Sequence, residues 1–217
     1  MSAADFRGPR TLRGALVSID PVVPIPKAIL FQYNPDGVSR TIKPRGSGGE
    51  GRAVATRIAG APQEQIRFDV EIDAADQLER GDPLAASLGI YPQLAGLEML
   101  VYPSSIQVIA NAVLLAAGSI ELLPPPAPLT LLVWGVKRIV PVRVDSLTVT
   151  EQAYDTGLNP IRAQVALDLA VLSYDDLSIT NPGYYVFLAH QVVKEGMALL
   201  NTVGDLTAVA GGDVRLL

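Results

Sequence analysis

The chain has 217 residues, 49% of them hydrophobic and only 18% charged, with a net charge of −5. That length suits one large domain or one domain with an appendage, and the low charge suits a chain that buries surface against other subunits as well as in its own core. No basic tract marks a nucleic-acid footprint, and the absence of cysteine removes disulfides, thiolate metal sites and cysteine nucleophiles.

The opening MSAADFRGPRTLRG has basic residues with no apolar stretch behind them, so a secretory signal is not expected. Residues 12–19 and 27–33 are predicted as strands, and Pro21, Pro24 and Pro26 between them forbid a continuous ladder. The second strand has few polar positions and is expected to be buried on both faces. It ends at the turn sequence Asn34-Pro35-Asp36-Gly37. Residues 45–60, RGSGGEGRAVATRIAG, read as a long mobile loop between strands, of the kind that becomes ordered by neighbours in an assembly. From Gln65 to Asp73, Ile66, Phe68, Val70 and Ile72 alternate with polar residues, which predicts a strand with one buried and one wet face.

The middle is predicted helical: a short turn over 74–80, a helix over 83–102 broken near Pro92, and a helix over 106–117 with Ile106, Ile109, Ala110, Val113, Leu114 and Ala117 at helical spacing. The tract 106–123 is the most apolar of the chain, but Gln107, Asn111, Glu121 and Gly118-Ser119 interrupt it. A membrane helix needs about 18 or more clean apolar residues, so stable membrane insertion is not expected. Burial is expected instead, against the domain's own sheet or against another subunit. Pro124-Pro125-Pro126 ends the helical region. Strands follow over 129–134, 139–151 and 161–171, and the shift of apolar phase after Val144 predicts a β-bulge near Asp145-Ser146. A helix over 184–203 completes the pattern, with Tyr185, Leu188, Ala189, Val192, Leu199 and Leu200 as its expected apolar positions.

Little here points to catalysis. His190 is the only histidine, and no nucleophile motif accompanies it. Asp69, Glu71 and Asp73 share one strand face, and with Asp76 they lack the tight, glycine-turned spacing of a calcium loop. The glycines at 46–51 are followed by neither Lys-Ser nor Lys-Thr, so they form no phosphate-binding loop. Catalytic, cofactor-binding and metal-binding residues are therefore expected to be none, and an enzyme is not expected.

Two segments carry a family resemblance. One is Phe31-Gln32-Tyr33-Asn34-Pro35, a strand entering an Asn-Pro turn before a poorly patterned loop from Ser39-Arg40 to Arg57. The other runs from Leu129 to Trp134-Gly135, through a valine-rich strand, to Asn159-Pro160 and a long strand opening with Ile161-Arg162. Together they resemble the tube-initiator proteins, the baseplate tube-domain subunits, of phage-tail-like contractile injection systems, over roughly residues 12–174. No LysM-like module of the kind many relatives carry is evident.

The resemblance implies a β-rich α+β fold: a tube-protein-like β-barrel or sandwich over residues 1–178 with a helical, apolar insert at 83–123, then a C-terminal helix and tail over 179–217. It implies a homo-hexameric ring between a spike hub and the inner tube, with the spike or hub protein, the inner tube protein and other baseplate subunits as partners. Such a particle would assemble in the bacterial cytoplasm, its release from the cell left open. Candidate assembly-interface residues are Arg45, Gly46, Gly48, Gly49, Arg52 and Arg57 of the loop, with Val113, Leu114 and Trp134. The alternative is a small β-sandwich binding module that recognises a polymer or lipid through 106–123.

Overall fold

The computed structural model describes residues 12–19, 26–46, 58–118 and 128–209. Its strands are β1 (Ala15–Ile19), β2 (Pro26–Leu30), β3 (Ser39–Lys43), β4 (Gln63–Asp73), β5 (Leu129–Val133), β6 (Ile139–Tyr154) and β7 (Pro160–Val171). Its helices are α1 (Ala75–Glu79), α2 (Pro83–Leu88), α3 (Tyr91–Glu98), α4 (Ser105–Ala116) and α5 (Pro182–Val209). The strands form one antiparallel sheet in the order β2-β1-β5-β6-β7-β4-β3, so the fold is β-rich α+β.

Alternation builds the core. Ile66, Phe68, Val70 and Ile72 of β4 are buried on the same face as Ala163, Val165, Leu167 and Leu169 of β7. The register places Phe68 opposite Leu167 and Val70 opposite Val165, the direct cross-strand pairing that stabilises a sheet face. In β6 the ladder slips between Val144 and Ser146. The bulge lets Val140 and Val142 before it, and Leu147 and Val149 after it, all pack on the core.

The sheet is strongly curled. In a flat sheet β2 and β4, five strand spacings apart, would lie about 24 Å from one another. Yet the ring of Phe31, just past β2, is 5.4 Å from that of Phe68 in β4. The barrel or sandwich expected from the sequence is therefore realised as a curled but open sheet: β2 and β3 are its edges, and among the described residues no ladder joins them. This position also overturns the expected burial of β2 on both faces. As an edge strand it is mostly exposed, Leu30 by 64%. β3 itself, inside a stretch read as loop, has no apolar period and is held by its pairing with β4.

The helices between β4 and β5 dock by specific local chemistry. Asp82 caps α2, its Oδ1 accepting from the Leu84 and Ala85 amides at 2.8 and 3.4 Å. The chain breaks at Gly89, earlier than the expected Pro92, which sits in the first turn of α3 where proline is tolerated. Ile90, Leu94 and Leu97 are buried against the sheet. α5 lies along β6, and its buried residues are Gly183, Phe187 and His190. The expected apolar face was wrong in phase: Tyr185, Ala189, Val192, Leu199 and Leu200 are exposed and Leu188 is half-buried. Gly183 sets that phase, because a Cβ there would meet Leu177 and Leu129 at 2.8 and 2.9 Å.

Candidate assembly interface

The segments Phe31–Pro35, Trp134-Gly135 and Ile161-Arg162, read separately along the sequence, converge where the sheet curls over. Trp134 packs 6.3 Å from Phe31 and 5.9 Å from Phe68, centroid to centroid. It is half-buried and packs against the core. The Asn34 side chain accepts from the Gly14 amide and donates to the Leu12 carbonyl, both at 2.9 Å, and so ties the turn after β2 to β1. The Gln32 side chain bridges to β4: its Nε2 donates to the Asp73 carbonyl at 2.7 Å and its Oε1 accepts from the Asp73 amide at 2.9 Å. One side-chain amide thus stands in for a ladder rung and seals the seam at that point. Arg162 completes the group, donating to Asp73 Oδ2 at 2.7 and 2.5 Å. The Asp73 carboxyl also accepts from the Ala75 amide. Although burial opposes its ionisation, that amide and the Arg162 guanidinium hold its pKa below the ordinary carboxylate range.

Away from Gln32 the seam stays open. β3 pairs only with Gln63–Arg67, so the same edge of β4 from residue 68 to 72 has no strand beside it among the described residues. A groove of 780 Å³ lies there, between β4 and the turn at Asn34–Val38. Another of 780 Å³ lies between β2, β4 and α3.

Arg45 clamps the base of the glycine-rich loop. Its guanidinium donates to Asp176 at 2.7 Å and lies 3.7 Å from Asp175. Asp175 accepts from the Ala61 amide at 2.8 Å, and Gly46 forms a bridge with Ile58 across the loop's neck. Arg45 is therefore engaged within the chain. Gly48, Gly49, Arg52 and Arg57 lie outside the described residues.

His190 was missed as a structural element. The signal available was its spacing from Phe187 and Lys194 along one helical stripe. It is buried, its Nδ1 has no hydrogen-bond partner among the described residues, and Lys194, Glu64 and Arg40 surround it electrostatically. Glu64 is itself buried and accepts from Arg40 at 2.7 and 2.5 Å and from Lys194 at 3.3 Å. Burial first, then the Lys194 charge, pushes the His190 pKa below its usual value. In the unfolded chain it returns to about 6.5. As pH falls through that value the unfolded state takes up the proton first, so stability is lost between the unfolded pKa and the lower folded one. The melting temperature of the wild-type chain is expected to fall between pH 7 and pH 5, and that of His190→Asn to fall less. Parallel profiles by differential scanning fluorimetry would contradict this burial.

α4 is the anomaly. Ser104 caps it, its Oγ accepting from the Gln107 amide at 3.3 Å. No residue of α4 is buried, and Ile106, Ile109 and Val113 are 68%, 63% and 62% exposed. Val113 and Leu114 are thus free to meet a partner, and the expected burial against the domain's own sheet is overturned for residues 105–116. Pro103 and the turn at Met99–Tyr102 separate the helix from α3. Residues 119–123 lie outside the described residues. Among the described residues no helix is long and apolar enough to cross a membrane, and no group of three His, Asp or Glu converges as a metal site.

No protein-family model matches the chain, and no curated protein matches it. Among solved structures, it is similar to a chain of the cryo-EM structure of the anti-feeding prophage (AFP) baseplate, 6-fold symmetrised. The match covers 79% of this chain and 94% of that chain, at 16% identity and a TM-score of 0.23.

Proposed function

We propose that this protein is a non-enzymatic structural subunit of the baseplate of a contractile injection system, forming a hexameric ring that joins the spike hub to the inner tube and starts tube assembly. The observation that carries the assembly role is α4. A helix that is apolar around most of its circumference belongs inside a larger structure, and here the subunit alone leaves it in water. The open seam and the sheet edges β2 and β3, unpaired among the described residues, support the same reading, since unpaired edges are sites for pairing with another chain. The kind of assembly comes from the tube-initiator resemblance, whose motif residues meet where the sheet curls over.

A lipid-binding module is the weaker reading. Interfacial helices carry a charged face, whereas no residue between Glu98 and Glu121 is charged. Removing this chain from a particle-producing cell is expected to abolish particles with assembled tubes, as counted by electron microscopy. Full-length particles in normal number would reject the proposal.

A further inference from the structure

We propose that the open stretch of β4 is a docking site for an extended, basic segment of a partner protein. The segment adds as a strand, its backbone bonded to Asp69 and Glu71, with a lysine or arginine opposite each. The inference stands on the seam alone and does not depend on the baseplate reading.

The backbone of β4 carries it. In an antiparallel ladder, alternate residues turn their amide and carbonyl to the same neighbour. Asp73 turns both groups to the Gln32 side chain, so Arg67, Asp69 and Glu71 face that edge too. Arg67 is paired with Ser39 of β3. The amides and carbonyls of Asp69 and Glu71 have no hydrogen-bond partner on that edge among the described residues. Two rungs are therefore missing between the end of β3 and the Gln32 bridge. Residues 68–72 span about 17 Å at about 3.4 Å per residue, the length of a five-residue strand. The groove beside them has a volume of 780 Å³, within the range of about 300–1,000 Å³ usual for pockets that hold a ligand. Backbone groups set out in this way along a strand edge recognise an extended chain.

The side chains select the chemistry of the occupant. Every strand pair in this sheet is antiparallel, and residues opposite one another in such a pair share a face. A residue opposite Asp69 or Glu71 therefore lies with them on the exposed face. Asp36 lines the same groove. Among the described residues Asp36 and Asp69 have no ion-pair partner, and Glu71 has only Arg162 at 3.5 Å. Arg67, the one cation among the described residues lining the groove, is already held by Asp168 at 2.8 Å. The groove thus carries negative charge that this chain does not neutralise. Opposite charges facing across strands attract, and like charges destabilise. The residue between the two basic ones falls opposite Val70, on the inner face with Phe68 and Val38, so it is apolar. The occupant reads basic, apolar, basic in extended conformation.

The test uses the full chain and the peptide TKVKT, blocked at both ends, with hydrogen exchange at the amides of residues 68–72 read by mass spectrometry. Fast exchange is expected in the chain alone, slowed about tenfold at saturating peptide. The charge-reversed peptide TEVET is expected not to bind. TKVKT methylated on both lysine backbone amides is expected not to bind either, because those amides meet the carbonyls of Asp69 and Glu71. Methylation of the valine amide, which points away from β4, is expected to leave binding intact. The double variant Asp69→Asn, Glu71→Gln is expected to weaken TKVKT by roughly tenfold. Its melting temperature should be unchanged, since both positions are exposed. No binding of TKVKT, equal binding of TEVET, or binding indifferent to lysine-amide methylation would overturn the proposal. So would slow exchange at 68–72 in the chain alone, which would show the edge already covered by this chain or by a second copy. Particle formation does not enter the measurement, so each of these failures leaves the baseplate reading standing.

Discussion

Gly89→Ala is expected to destabilise the domain by about 2–4 kcal/mol. Gly89 ends α2 at φ 58° and ψ −133°, a region essentially reserved for glycine, and a side chain held there costs about 1–3 kcal/mol. Space is lacking too. A Cβ at this position would run into the carbonyl oxygen of Pro160 and lie 3.1 Å from its carbon. That oxygen accepts from the Ile90 amide at 2.8 Å, the bond that docks the start of α3 on the β6–β7 hairpin. Moving it weakens a buried hydrogen bond worth about 1 kcal/mol net and more if left unmade. Ile90, Leu94 and Leu97, all buried, depend on the same docking. At about 2–4 °C per kcal/mol for a chain of this size, the melting temperature should drop by roughly 4–16 °C. A drop of under 2 °C would mean that the helical insert is not docked on Pro160.

Phe68→Ala is expected to cost about 3–5 kcal/mol, the usual range for emptying a buried aromatic site. Phe68 is 4% exposed and touches both Phe31 and Trp134. It joins strands that are far apart in sheet order, so its loss is felt in the curl of the sheet as well as in the cavity it leaves. Trp134 is the chain's only tryptophan, which makes the effect visible directly: its fluorescence should shift to the red as water reaches the ring. The pair Phe68→Ala and Phe31→Ala should be non-additive by more than about 0.5 kcal/mol, since contacting residues couple and distant ones do not. Additive losses with unchanged Trp134 emission would show that the three rings do not meet.

Period and turn chemistry made most elements legible. The alternation of Ile66, Phe68, Val70 and Ile72 marked β4, and the change of phase after Val144 marked the bulge that the ladder shows between Val144 and Ser146. What the sequence hid is long-range. β3, Ser-Arg-Thr-Ile-Lys, carries no apolar period, and only its partner β4 makes it a strand. β2 looks like a core strand by composition, but the curl places it at an edge. The stripe that docks α5 includes a glycine and a histidine, so apolarity alone pointed to the wrong face.

The candidate site was half legible. The apolarity of 106–117 was plain from the sequence, while its exposure in the subunit was not. Trp134, read as a candidate interface residue, packs half-buried against two phenylalanines distant in sequence. Arg45 is likewise taken up by Asp176, more than a hundred residues away.

The most direct measurement of the central claim is a map of the native particle viewed along its axis, with this chain identified by its side-chain density. The account predicts six copies in one baseplate layer between the spike hub and the first tube ring, with α4 of every copy covered by protein. A particle whose baseplate lacks the chain, or holds it with α4 facing open solvent, would contradict it.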